Sequence, residues 1–185
     1  TSGSVHALPN GTVWDQTTKG LLPTIIEEMF DLRDELKRKM AEATTTEERT
    51  GWDVFQMAVK RMMASFYGMT AAPGYGWASQ EIAGSITAVG RESIRLLLNE
   101  AEEQGYRAVY GHTDSAYVQV PFDDAEPLTR HLTQKAQENL NASYLIVELE
   151  AYYPYWTVAK KNRYFGIKSW PPEEAGQMKV AGYEY

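Results

Sequence analysis

The run Tyr110-Gly111-His112-Thr113-Asp114-Ser115 lies between two apolar stretches, Arg107 to Val109 and Ala116 to Val120. That pattern predicts a strand, a tight turn and a returning strand. Such a hairpin presents the Asp114 carboxylate at a sheet edge, where a hard oxygen donor can hold a divalent cation; the plainer role is an Asp that bonds its own turn backbone. Upstream, Arg33 and Lys37 fall at i, i+4, and Lys60, Ala64 and Tyr67 at i, i+4 and i+7, so each set shares one face of a helix. Opposed, the two faces make a cationic clamp for phosphate. Downstream, Glu148 and Glu150 sit two apart and share one face of a predicted strand, as accessory carboxylates or as an exposed polar edge. Lys161, Arg163 and Tyr164 form a basic and aromatic strand suited to the backbone and minor groove of nucleic acid.

The elements that must position these groups follow from periodicity. Leu22, Ile25, Ile26, Met29, Leu36 and Met40 recur at helical spacing, with Pro23 tolerated in the first turn, and predict an amphipathic helix of about six turns. Ala43 to Glu48 is a polar turn in which Thr45 and Glu48 have capping-box spacing. Trp52, Phe55, Val59, Met62, Met63 and Phe66 then predict a second helix, antiparallel to the first. The Ala71 to Gly76 segment, with Pro73 and Gly74, ends that pattern and marks the boundary between a helical projection and a packed body.

Past that boundary, Ile82, Ile86, Val89, Ile94, Leu97 and Leu98 define a third helix ending near Gly105. The hairpin follows, then a helix from about residue 124 on. Tyr144 to Glu150, Trp156 to Lys168 and Met178 to Tyr183 read as further strands, rich in β-branched and aromatic residues. The expected class is α+β, an antiparallel sheet backed by helices with a two-helix antiparallel hairpin attached. Residues 1–17 form a lead-in that opens on an apparent tag remnant, Thr1-Ser2-Gly3-Ser4; residues 18–70 form the helical hairpin and residues 71–185 the body.

Composition bounds the function classes. The 185 residues are 43% hydrophobic and 12% aromatic, which excludes a disordered chain. With no cysteine, disulfides and thiolate metal sites are excluded. No apolar run has the length of a membrane span and no signal peptide precedes the first helix, so a soluble, intracellular protein without a membrane partner is expected. The net charge of −7 opposes simple nucleic-acid binding, which rests on Lys and Arg neutralising phosphates. Sign varies by region, however: acids cluster in Glu100 to Glu103 and Asp123 to Glu126, and bases gather in Arg33 to Lys39, Lys60-Arg61 and Lys160 to Lys168.

Three motifs, in this order, resemble the signatures of family B DNA polymerases. Lys60-Arg61-Met62-Met63-Ala64-Ser65-Phe66-Tyr67-Gly68 is similar to the K-x-x-x-N-S-x-Y-G of the fingers helix. Tyr110 to Ser115 is similar to Y-G-D-T-D-S, and Lys160-Lys161-Asn162-Arg163-Tyr164 to K-K-R-Y. The resemblance implies a palm for the body and fingers for the helical hairpin. Asp114 matches the Asp that bridges two catalytic Mg2+ ions, with Mn2+ as the alternative, and Glu148 and Glu150 match acidic residues near the metals. Lys60, assisted by Arg33 and Lys37, would contact the triphosphate of the incoming dNTP. Tyr67 would lie against the nascent base pair, and Lys161, Arg163 and Tyr164 would contact primer-template DNA.

Three positions depart from the family pattern. His112 replaces the first Asp, and a neutral imidazole is a poor magnesium ligand, so a histidine satisfied by turn backbone is expected there. Ala64 replaces Asn, and Asn162 is an extra residue. The family's D-x-x-S-L-Y-P signature, which supplies the other bridging Asp, has no counterpart. Gly11 to Pro23 resembles the stretch that directly precedes the fingers, and Tyr183-Glu184-Tyr185 falls where the thumb would begin. The expectation is therefore an excised fingers and palm fragment of an archaeal or viral polymerase, lacking the exonuclease domain, the first catalytic motif and the thumb, and nearly inactive alone. The competing expectations are a non-catalytic structural or DNA-binding module descended from such a polymerase, and a nucleotide cyclase, which would explain the carboxylate hairpin but not the helical projection.

Overall fold

The computed structural model describes residues 5–74 and 76–182. The apparent tag remnant, Tyr75 in the predicted break and the Tyr183-Glu184-Tyr185 end all lie outside the described residues. Within them, four α-helices and seven short strands make an α+β chain, the strands falling into three small antiparallel sheets. Two compact units divide between Val89 and Gly90. No helix among the described residues is long and apolar enough to cross a membrane.

The first unit opens with an antiparallel hairpin, β1 (Val5–Ala7) and β2 (Val13–Asp15), that periodicity did not reveal because three-residue strands are too short to alternate legibly. Helices α1 (Leu21–Glu42) and α2 (Thr46–Ala71) follow. The turn between them is the expected capping device. Thr45 Oγ1 accepts from Glu48 N at 3.2 Å, while the Glu48 carboxylate accepts from Thr44 N at 3.3 Å, one residue earlier than in the usual reciprocal box. Helix α3 (Gln80–Glu103) begins in this unit. Its buried Ser85 hydroxyl accepts from Trp14 Nε1 at 3.2 Å and from Asn10 Nδ2 at 3.4 Å, which ties the lead-in hairpin to α3. The unit thus runs past the Pro73-Gly74 break and divides within α3.

The second unit builds its core from Leu97 and Ala101 of α3 and Leu128, Leu132 and Ala136 of α4 (Phe122–Leu140). Ala116 and Val118 of β4 (Ser115–Gln119), the partner of β3 (Arg107–His112), and Val120 just beyond it pack against that cluster. Each well-buried leucine contributes about 1.5–3 kcal/mol, enough for the two helices to seat the hairpin.

Two strand expectations are corrected. Tyr144 to Glu150 forms no strand. Exposure still alternates, with Leu145, Val147 and Leu149 half-buried and Ile146, Glu148 and Glu150 exposed, but the inner backbone groups are satisfied by α4 side chains instead of a ladder. Val147 N donates to Thr133 Oγ1 at 3.0 Å and Gln137 Nε2 donates to the Leu145 carbonyl at 2.8 Å. Trp156 to Lys168 is two strands, β5 (Tyr155–Lys160) and β6 (Arg163–Ile167), with Lys161-Asn162 as the turn. Asn162 has φ 62°, a left-handed conformation that Asn adopts more readily than most residues. The final strand, β7 (Met178–Ala181), pairs with β6.

Candidate functional site

The β3–β4 hairpin closes through a two-residue turn, Thr113-Asp114, because His112 pairs with Ser115. Asp114 is exposed at its tip, and its Oδ1 accepts a long bond, 3.5 Å, from the Ser115 hydroxyl. Thr113 has φ 46°, which a β-branched residue adopts at a cost of about 1–2 kcal/mol. Backbone strain of this kind is stored where the surrounding fold over-determines a turn.

What over-determines it is the packing of both hairpin faces. Val109 is an extra residue in the ladder: Ala108 pairs with Val118, and Tyr110, not Val109, opposes Tyr117. That one-residue shift sets Gly111 opposite Ala116 on the helix side and turns Tyr110 and His112 to the other face. A Cβ on Gly111 would stand 2.8 Å from Ile94 Cγ2 and 3.0 Å from Leu98 Cδ1 of α3, so only glycine lets the hairpin lie flat on that helix. Gly111→Ala is expected to destabilise the chain by about 1–3 kcal/mol through overpacking, read as a lower urea midpoint with an unchanged m-value.

On the opposite face, Tyr110, Tyr117, Trp156 and Tyr164 form an aromatic cluster that joins β3–β4 to β5–β6. Tyr117 stacks on Trp156 at 4.5 Å between centroids and 11° between planes. Tyr164 lies 5.5 Å from Tyr117 and 6.0 Å from Tyr110. Tyr164, expected to contact DNA, is 7% exposed with its ring used in packing. Lys161, in the turn, and Arg163, directly after it, are exposed. The Tyr110 hydroxyl is within 3.1 Å of Asn162 Oδ1, to which it donates, and accepts from Asn162 N at 3.0 Å, latching the carboxylate hairpin to the basic turn. His112 stacks on Tyr110 at 6.0 Å, and its Nδ1 lies 3.0 Å from Thr113 Oγ1, so its partner is a side-chain hydroxyl where turn backbone was expected.

Burial, followed by the neighbouring Tyr164 hydroxyl, pushes the Tyr117 phenol above its ordinary value, and burial does the same for Tyr153. A folded-state value above the unfolded one means that the folded chain holds these protons longer. Their stabilisation is complete below about pH 10 and is lost as pH rises past it. An ultraviolet tyrosinate titration should show a late-ionising class, and Tyr117→Phe should flatten the alkaline fall in stability.

On α1 and α2, Arg33 and Lys37 are half-buried while Lys60, Ala64 and Tyr67 are exposed, Tyr67 at 43%. Arg33 Nε donates to Gln56 Oε1 at 3.2 Å, across the two helices. None of Arg33, Lys37 and Lys60 has a salt-bridge partner among the described residues. Their charge remains available to an anion.

Glu148 and Glu150 are both exposed. Glu150 carries its charge near Tyr117, Tyr153 and Lys168, while Glu148 lines a groove with Glu126, Thr129, Arg130, Val147, Leu149 and Trp170. Among the described residues no three His, Asp or Glu side chains come together closely enough to hold a metal ion. Asp114, Glu148 and Glu150 are therefore not gathered into one site. Asp114 has the right donor type, but a two-cation centre requires more carboxylates than are brought together among the described residues.

Sequence reasoning missed Gln56 and the Tyr110–Asn162 latch. Gln56 carried a signal: Trp52, Gln56, Val59 and Met63 share one helical stripe, and a polar residue in an apolar stripe asks for a partner. The latch joins residues distant in sequence and left no local trace.

The model of DNA polymerase family B matches residues 3–185. A DNA polymerase of Thermococcus sp. (strain 9oN-7) is 30% identical over 172 residues, covering 89% of this chain and 21% of that protein. The DNA polymerase delta catalytic subunit of Arabidopsis thaliana is 31% identical over 195 residues, covering 97% of this chain and 18% of that one. Among solved structures, the family B DNA polymerase from the hyperthermophilic archaeon Pyrobaculum calidifontis aligns over 100% of this chain and 23% of its own, with a TM-score of 0.72 at 22% identity, a likeness of fold. The chain spans about a fifth of the length of the relatives it matches.

Proposed function

Because the chain belongs to DNA polymerase family B, we propose that it is the fingers and palm portion of an enzyme that joins deoxynucleotides from dNTPs to a primer 3′-hydroxyl under the direction of a DNA template. In this reading residues 18–70 are fingers and residues 71–185 palm, within an intracellular protein. The observation that carries the proposal is the exposed Asp114 carboxylate at a two-residue turn, on a hairpin braced by α3 on one face and, on the other, by the packing of its own Tyr110 and Tyr117 against Trp156 and Tyr164. A braced turn holds a ligand oxygen in place without reorganisation during the reaction.

Two divalent cations, when bound, would activate the primer hydroxyl and neutralise the leaving pyrophosphate. Asp114 would offer its carboxylate to them. Lys60, Arg33 and Lys37 would hold the triphosphate as point charges and a guanidinium fork. Tyr67 would support the nascent base pair, and Lys161 and Arg163 the backbone of the primer-template, which fixes register without reading sequence. The second bridging carboxylate would come from a segment outside these 185 residues. A place for an added strand is supported by residues 146–150, whose backbone makes no backbone hydrogen bond among the described residues. The isolated chain is accordingly proposed to have negligible polymerase activity.

His112 and Ala64, in place of Asp and Asn, favour a second reading as a non-catalytic structural or DNA-binding module. Grafting residues 11–185 into a complete family B polymerase separates the two. Primer extension with Mg2+ or Mn2+ is the expected result. A folded, DNA-binding chimera that extends under neither metal supports the non-catalytic module.

A further inference from the structure

We propose that Gln56 is a positioning residue that aims the Arg33 guanidinium at the phosphates of an incoming nucleotide, an inference that rests on the nucleotide-binding role given to α1 and α2 above. Gln56 is 6% exposed, yet both ends of its amide are satisfied. Its Oε1 accepts from Arg33 Nε at 3.2 Å, and its Nε2 donates to Asp53 Oδ1 at 2.7 Å. A buried polar side chain is tolerated when it is bonded in this way.

The order of the three groups fixes the direction of the amide. A carboxylate only accepts, so Asp53 takes the NH2 end, and the carbonyl end must face Arg33, which only donates. The reversed amide would set two acceptors against each other at Asp53 and two donors at Arg33. Asp53 thus sets Gln56, and Gln56 holds Arg33 by Nε. Four of the five guanidinium N–H groups, those on the two terminal nitrogens, remain as a fork that matches two phosphate oxygens.

Helix register makes the placement useful. Gln56 and Lys60 are at i, i+4 on α2, and Arg33 and Lys37 at i, i+4 on α1. In an antiparallel hairpin the Arg33–Gln56 bond sets Lys60 one turn further from the tip and Lys37 one turn nearer to it. By this register the guanidinium lies along the hairpin between the levels of Lys37 and Lys60, about one helical turn from each. Restraining a long side chain beforehand lowers the ordering cost of binding.

The test is a titration of the 185-residue chain with sodium tripolyphosphate, followed by nuclear magnetic resonance, for the parent chain, Arg33→Ala, Gln56→Met and the double variant. Methionine keeps the buried volume and loses both hydrogen bonds. Gln56→Met should weaken binding about tenfold, and the double variant should bind no more weakly than Arg33→Ala alone, because both act through one guanidinium. Additive losses, or no loss in Gln56→Met, would overturn the inference while leaving the binding role of Arg33 intact. If Arg33→Ala itself binds tripolyphosphate as the parent does, the nucleotide-binding role of Arg33 fails and the inference with it.

Should Gln56→Met not fold, the unaltered chain still decides. The Arg33 Nε–H resonance should be protected from solvent exchange before ligand is added, and the terminal guanidinium resonances should move on titration. Rapid Nε–H exchange would overturn the proposal.

Discussion

In the grafted polymerase, Asp114→Ala should lower kcat by on the order of a thousandfold with little change in the KM for dNTP, measured as single-nucleotide primer extension. A carboxylate that holds catalytic cations supplies several kcal/mol of charge stabilisation in the transition state, and each factor of ten in rate is about 1.4 kcal/mol. The loss should fall on kcat because the triphosphate grip assigned to Lys60, Arg33 and Lys37 is untouched. Stability should not change. Asp114 is exposed, and its only hydrogen bond among the described residues, from Ser115, is 3.5 Å long. Asp114→Glu keeps both oxygens but moves them outward, and should fall between Ala and the parent. A chimera that extends primers equally well with Ala at 114 would remove this residue from the metal site.

The second large effect is expected at Lys60. Lys60→Ala should lower kcat/KM for dNTP by about ten- to a hundredfold, the cost of a charge-assisted bond worth about 1.5–3 kcal/mol. Much of that loss should appear as a raised KM. Because Lys60 is exposed and has no salt-bridge partner among the described residues, the change breaks no structural ion pair. Lys60→Arg keeps the charge on a longer, planar group and should recover part of the activity. Equal kcat/KM in Lys60→Ala and the parent would rule out triphosphate contact.

The elements legible in the sequence are those fixed by local information. The α1–α2 hairpin could be read because its apolar stripe repeats over many turns and the Thr45–Glu48 cap announces the second helix. The Asp114 hairpin was equally local, a turn between two apolar runs. What the sequence did not reveal depends on distant partners. Tyr144 to Glu150 has the alternation of a strand, but a strand needs a neighbour, and here Thr133 and Gln137 of α4 take that place. Trp156 to Lys168 reads as one strand until Asn162 is recognised as a residue fit for left-handed backbone. Tyr164 looked like a surface aromatic because its type allows either face. The pairing of Val158 with Tyr164 sets the face, and the ring is buried among Tyr110, Tyr117 and Trp156.

The candidate site follows the same division. Residue types and helical spacing identified the cationic faces and the carboxylate, whereas the groups that hold them came only from three-dimensional packing. Gly111 owes its identity to Ile94 and Leu98, and the aim of Arg33 to Gln56 and Asp53. Supporting contacts of this kind join residues far apart in sequence.

The most direct test is anomalous diffraction from manganese in a crystal of the grafted polymerase with primer-template DNA and a non-hydrolysable dNTP. A manganese peak within about 2–2.5 Å of an Asp114 oxygen is the expected result, with a second peak about 3.5–4 Å from the first. Well-ordered manganese with Asp114 outside its coordination shell would contradict the assignment of this hairpin as the bearer of a catalytic carboxylate.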